Sequence, residues 1–326
     1  MMGRLGRARA WLGHLFTLGL AALLLVCLSY ALPRLMPGDF VTAMFASSHV
    51  TLNEQQESET RAYFQREEGF TAYLLRVLRL DWGRSYALGQ PVSSLIFQAL
   101  PWTLLLAGGA HLLASLLSFV AGVEAAWRRN SPMERALVGL MTFLEGVPEM
   151  ALAVVLLGLF AFRLHWLPSA GAQTPYAEFS LGGRLADTAR HLVLPMTTLV
   201  VAYFPGNFLL ARNSMVMVLG EEFILTARAK GLSDPRVRYH HAARNALLPV
   251  VTRFGLRLAF MVTGVVIVET IFSYPGLGTL LFNAIRSRDL PLIQGVVLFS
   301  SMAVLAVNLG LEILYGRIDP RARDAR

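Results

Sequence analysis

Two stretches of this chain, residues 10–32 and 290–311, contain no Asp, Glu, Lys or Arg. Uncharged apolar runs of about 20 residues match the ~30 Å hydrocarbon core of a bilayer when helical. Lipid offers no hydrogen bonds to the backbone, so a spanning segment must be a helix or part of a closed barrel, and runs this long select the helix. Composition agrees: 55% of the 326 residues are hydrophobic and 15% charged, against about 25% charged in soluble domains. The lone cysteine, Cys27, excludes a disulfide scaffold, a cysteine-ligated zinc site and an iron–sulfur centre. The net charge of +8 would suggest nucleic acid if the basic residues formed a stripe, so their placement decides.

Hydropathy predicts an all-α membrane protein with six transmembrane helices, at 11–32, 99–127, 135–162, 191–219, 247–272 and 290–315. Arg4, Arg7 and Arg9 precede the first. Its apolar run exceeds the 7 to 15 residues of a signal peptide, and no A-x-A site follows, so it reads as a retained anchor. Arg128, Arg129 and Arg135 follow the second span, and Arg228, Lys230, Arg236, Arg238 and Arg244 follow the fourth. Arg317, Arg321, Arg323 and Arg326 follow the sixth. Lys and Arg in short loops stay on the cytoplasmic side, so both termini are expected there, and the positive charge needs no nucleic acid to explain it. The expected organisation is an anchor at 1–32, an extracytoplasmic segment at 33–98, a five-helix core at 99–316 with a cytoplasmic loop at 220–249, and a tail at 317–326. Within the external segment, residues 73–80 form an amphipathic stretch expected to lie at the interface.

Enzymatic constellations are missing. Lys230 is the only lysine and lacks a P-loop's glycines, while His240 and His241 are adjacent and so about 100° apart on a helix. Neither H-E-x-x-H nor G-x-S-x-G occurs, and none of the six expected spans contains Asp. The chain is therefore not expected to be an enzyme.

The loop after the fourth span has the grammar of a short capped helix: Glu221 and Glu222 at its start, good helix formers through Lys230, then Gly231 and Pro235. It reads either as a solvated connector or as a docking helix whose apolar contact is Phe223, Leu225 and Leu232. Ionisable residues within spans need a partner or a wet cavity. Glu145 and Glu149, four apart, are expected to share a helical face, with Pro148 loosening the backbone between them. They read either as part of a path favouring amine-bearing substrates or as part of a salt-bridge or gate network with Arg212, Arg253 or Arg257. Glu269, near the end of the fifth span, is expected to be structural.

Residues 222–232, Glu-Phe-Ile-Leu-Thr-Ala-Arg-Ala-Lys-Gly-Leu, followed by Ala-Arg-Asn-Ala-Leu-Leu-Pro-Val-Val-Thr at 243–252, closely resemble the EAA loop of ATP-binding-cassette importer permeases of the dipeptide, oligopeptide and nickel branch. Four further segments match in order: Leu-Asp-Trp-Gly-Arg-Ser at 80–85, Trp-Leu-Pro-Ser-Ala-Gly at 166–171, 268–278 with Glu269, Pro275 and Gly276 as its structural motif, and Leu314-Tyr315 to Asp319-Pro320-Arg321. Leu225 and Thr226 depart from the general motif, which has Glu-Ala there. The resemblance implies a type I importer permease in the inner membrane, carrying no cofactor itself. Its partners would be a second homologous permease, two cytoplasmic ATPases holding ATP and Mg, and an extracytoplasmic substrate-binding protein. Glu221, Glu222, Phe223, Thr226, Ala227, Arg228, Ala229, Lys230, Gly231 and Leu232 would then couple to the ATPases. Peptides are the expected substrate; nickel complexes, glutathione or oligosaccharides remain open, as does a receptor-like scaffold recruiting a non-ATPase partner.

Overall fold

The computed structural model describes residues 2–48, 54–64, 69–261 and 265–318. The apolar runs become helices, in chain order α1 (Met2–Arg34), α2 (Phe40–Ser48), α3 (Glu54–Phe64), α4 (Phe70–Leu78), α5 (Val92–Thr103), α6 (Gly109–Trp127), α7 (Pro132–Glu145), α8 (Glu149–Leu156), α9 (Leu181–Leu219), α10 (Glu222–Ala229), α11 (Arg244–Met261), α12 (Val266–Ile271), α13 (Leu277–Arg286) and α14 (Leu290–Ile318). Wider π-helical turns at Leu104–Gly108, Leu157–Arg163 and Arg236–Ala243 join or extend them. Among the described residues the extended pairing is a single bridge, Arg84 with Pro91.

Four helical stretches are long and apolar enough to cross a membrane: Phe16–Arg34, Val92–Trp127, Leu181–Leu219 and Leu290–Glu312. The expected third span is not one helix. Pro132–Glu145 and Glu149–Arg163 meet at 95°, which makes a fifth span if the pair is counted together. Gly146 ends α7, the Pro148 ring disfavours helical geometry at Val147 before it, and Pro148 itself is extended at φ −60° and ψ 138° as it opens α8. The expected fifth span falls on α11 and α12, with residues 262–264 outside the described set. The C-terminal match at 319–321 also lies outside it.

The chain forms two compact units, Met1–Pro101 with Gly276–Arg326, and Trp102–Pro275. In the first, α1 and α14 run antiparallel: Val26 packs with Leu298 and Met302, while Gln294 donates to the Tyr30 carbonyl at 3.3 Å. The amphipathic helix covers Phe70–Leu78 rather than 73–80, and Leu80 lies beyond it at φ +57°. Tyr73 plugs α4 onto α1, its hydroxyl 2.9 Å from Ser29 Oγ. The loop carrying Trp82 is fixed by the fully buried Asp289, whose carboxylate accepts from Ser85 Oγ (2.5 Å), Ala87 N (2.9 Å) and Leu292 N (3.2 Å).

In the second unit, α6 lies along α9 at a spacing only small residues permit. A Cβ on Gly122 would come 2.8 Å from Ala211 Cβ, 2.9 Å from Arg212 N and 2.9 Å from Phe208 O. Two of those atoms are backbone and cannot swing aside. Gly122→Ala is therefore expected to destabilise the protein by about 1–3 kcal/mol, read as a lowered unfolding midpoint in detergent. An unchanged midpoint would show that the two helices can separate freely. The segment 166–171 is held by Gly171 N donating to Phe272 O at 2.9 Å, with Gly171 at φ +82°.

Candidate functional site

The loop at 220–249 builds a short helix with two faces. Glu221 caps α10 in extended geometry, and Glu222 stands in its first turn, where a carboxylate complements the helix dipole. At the other end Gly231 takes φ +73°, its N–H donating to Arg228 O (2.9 Å) while Leu232 N donates to Ala227 O (3.4 Å). This paired closure is the glycine-dependent stop that the sequence predicts. Ile224 and Ala227, three apart, are buried in a cluster with Val123, Ala126, Met215, Val237 and Ala242. The remaining positions, Phe223, Leu225, Thr226, Arg228, Ala229 and Lys230, are exposed, Phe223 at 42% and Leu225 at 64%. Leu232, expected beside them as partner contact, instead packs half-buried against the same cluster, because the glycine turn folds it back.

A polar clamp joins this loop to the end of α6. Arg238 Nη1 lies 2.6 Å from Glu124 Oε1, and the Tyr239 hydroxyl donates to the same oxygen. That bond holds the Tyr239 phenol above its usual pKa, since ionising it would set an anion against the carboxylate. The guanidiniums of Arg228 and Arg238 lie 5.3 and 4.7 Å from the centroid of the Trp127 ring.

Arg212 belongs to a different pairing from the one expected. Its Nε and Nη2 lie 3.0 and 2.5 Å from Oε1 of Glu134, which is 4% exposed. Glu134 is placed by its own helix start: Ser131 Oγ accepts from Glu134 N at 3.1 Å, and Pro132 opens α7. Arg212 therefore lies apart from Glu145 and Glu149 in its contacts.

The shared face expected for Glu145 and Glu149 does not form, because the Gly146–Pro148 break puts them on separate helices. Around the break α11 supplies two cations, Arg253 and Arg257, against Gly206 and Tyr203 of α9. A Cβ on Gly206 would meet Glu145 Oε1 at 2.6 Å and Arg253 Nη2 at 3.0 Å, so both groups converge over bare backbone, and Arg253 Nη1 donates to Gly206 O at 3.0 Å. One turn further along α11, Arg257 lies 5.3 Å from the Tyr203 ring centroid and within electrostatic range of Glu149. His111, buried on α6, stacks on Phe254 with ring centroids 4.9 Å apart. Glu269 is fully buried and accepts from Thr103 Oγ1 at 2.6 Å. Pro275 is exposed, and Gly276 is buried at the start of α13.

Residues 114–324 match the family described as binding-protein-dependent transport system inner membrane component. A probable peptide ABC transporter permease protein of Sinorhizobium fredii is 36% identical over 90% of this chain and 92% of its own length. The oligopeptide transport system permease protein AppB of Bacillus subtilis is 34% identical over 90% and 92%. A putative peptide permease protein of Brucella suis is 34% identical over 95% and 98%. The chain belongs to this permease family. It is a multi-pass inner membrane protein and the permease subunit of a binding-protein-dependent importer.

Several residues that shape the permease's site were not legible in advance. Glu124, Trp127, Arg238 and Tyr239 meet across more than a hundred positions of sequence, and nothing local announces the pairing. Glu134 did carry a signal: Ser131 followed three residues later by Glu is a capping box.

Proposed function

We propose that this permease imports peptides, with α10 as the helix through which two partner ATPases drive it. The peptide reading rests on relatives named as peptide permeases over nine-tenths or more of the chain. The coupling reading rests on one observation: α10 is anchored by Ile224 and Ala227 yet leaves Phe223 and Leu225 uncovered. A rigid helix seated this way acts as a lever, since a push on its outer face moves the cluster that includes Val123 of α6 and Met215 of α9. ATP and Mg belong to the partners. A second homologous permease completes the path and an extracytoplasmic binding protein delivers substrate. Six crossings, the fifth made of α11 and α12, place both termini and α10 in the cytoplasm. Purification from the native membrane is expected to bring down an ATPase and a second permease. Recovery of a non-ATPase partner alone would favour a scaffold.

Glu145 and Glu149 flank a helix break at membrane depth, the kind of interrupted segment on which transporters build substrate sites. In the proposed path they favour peptides with a free amino terminus. Glu145→Gln with Glu149→Gln is expected to reduce the uptake preference for free over N-acetylated peptides roughly tenfold in proteoliposomes of the whole complex. Unchanged preference with lowered stability would make them part of an internal charge network with Arg253 and Arg257.

A further inference from the structure

Arg257 is a cation at membrane depth whose donors are unspent. It stands thirteen residues into α11 from Arg244, about 20 Å along a helix axis, and its guanidinium lies over the ring of Tyr203, in the middle of α9. That contact holds it at depth instead of letting it snorkel to the headgroups. Among the described residues Arg257 makes no hydrogen bond and no ion pair; the ring face, 5.3 Å away at its centroid, is what it rests on. Arg253, one turn earlier, differs, since its Nη1 donates to the Gly206 carbonyl at 3.0 Å. Glu149 of α8 is within electrostatic range of Arg257 but does not close into an ion pair with it. Arg257, Tyr203 and Glu149 are each only half-buried, so the chain itself leaves this surface open. Hydrocarbon does not accommodate an unpaired arginine, so the surface is wet and belongs to the path, not to lipid.

The donors that remain have a shape. A guanidinium lying on a ring face keeps its N–H edge free, and that edge matches a carboxylate in a two-bond fork. The Tyr203 hydroxyl also makes no hydrogen bond among the described residues, so the same ring offers a further O–H donor. The ring is set in place by His111, buried behind it and edge-on at 5.7 Å and 79°. A cation with an adjacent O–H, and a carboxylate of the protein near but unpaired, fits a ligand that carries a carboxylate at one end and an ammonium at the other.

We propose that Arg257, with the Tyr203 hydroxyl, binds the C-terminal carboxylate of the peptide in transit. The site rests on the peptide reading above and adds a second requirement to it, a free carboxyl terminus, beside the preference for a free amino terminus given to Glu145 and Glu149.

The test is uptake by proteoliposomes of the whole complex, comparing a labelled tripeptide that has no acidic side chain with its C-terminal amide, at concentrations that load the binding protein fully with either. The free acid is expected to enter roughly tenfold faster. Arg257→Gln is expected to bring that ratio close to one. Arg257→Lys is expected to keep part of it, since a point charge attracts the carboxylate without the fork. Tyr203→Phe keeps the ring under the guanidinium and is expected to lower the ratio about threefold. Glu149→Gln is expected to change the preference for free over N-acetylated peptides and not this one. A ratio near one in the wild-type complex, or a ratio unmoved by Arg257→Gln, or by Tyr203→Phe should the first variant not assemble, would overturn the carboxylate site while leaving peptide import standing. A ratio that falls equally with Glu149→Gln would make Arg257 part of an internal charge network and would also overturn it. Uptake of neither peptide would refute the peptide reading, and the site with it.

Discussion

Glu134→Leu is expected to destabilise the permease by about 3–5 kcal/mol, the cost of leaving a partly buried guanidinium without its counter-ion. Glu134 is 4% exposed, and both nitrogens of Arg212 that reach it bond the same oxygen, at 3.0 and 2.5 Å. Asn213 Oδ1, 3.0 Å from Arg212 Nη1, offsets little of the loss because it carries no charge. The double substitution Glu134→Leu with Arg212→Met removes the orphaned charge and fills the space with apolar atoms. Paired replacement of buried ions by hydrophobic residues is often close to neutral, so the double variant is expected to recover at least half of the single variant's loss. Unfolding midpoints in detergent measure all corners of the cycle. If the double variant is as unstable as the single, the two residues are not coupled and α7 is held to α9 by packing alone.

The second large effect separates the two faces of α10. Leu225→Asp is expected to leave the chain's unfolding midpoint nearly unchanged, because an exposed position away from caps and pairs shifts stability by only about 0.5 kcal/mol. The same change is expected to weaken ATPase binding by roughly a hundredfold, since a charge placed in the apolar centre of an interface is left unpaired on association. Ile224→Asp is the opposite case. Ile224 is buried among Val123, Met215 and Val237, so a carboxylate there disrupts the cluster that seats the helix, and stability and ATPase binding fall together. Equal behaviour of the two variants would mean that α10 has no dedicated outer face.

Local chemistry explains what could be read from the residues. Hydropathy is a property of contiguous segments, so α1, α9 and α14 contain the apolar runs that predict them, α1 and α9 starting nine and ten residues earlier and α14 ending three residues later. The stop of α10 was legible for the same reason, because Gly231 meets a backbone requirement within its own turn. Pro148 carried the signal for a break, and reading it as a loosened helix produced the mistaken shared face for Glu145 and Glu149. Long-range pairings were not legible. Glu134 and Arg212 stand 78 positions apart, and Glu124 and Arg238 stand 114 apart. One joins α7 to α9 and the other joins α6 to the turn before α11, approaches between separate elements that no single segment encodes.

Disulfide cross-linking at α10 tests the coupling account most directly. In a Cys27→Ser background, Leu225→Cys paired with single cysteines on the surface of the copurified ATPase is expected to cross-link, with a yield that changes when ATP is added. Ala227→Cys, seated in the cluster, is expected not to cross-link. Cross-linking from Ala227→Cys but not from Leu225→Cys, or from neither while the complex remains assembled and active, would contradict α10 as the docking helix.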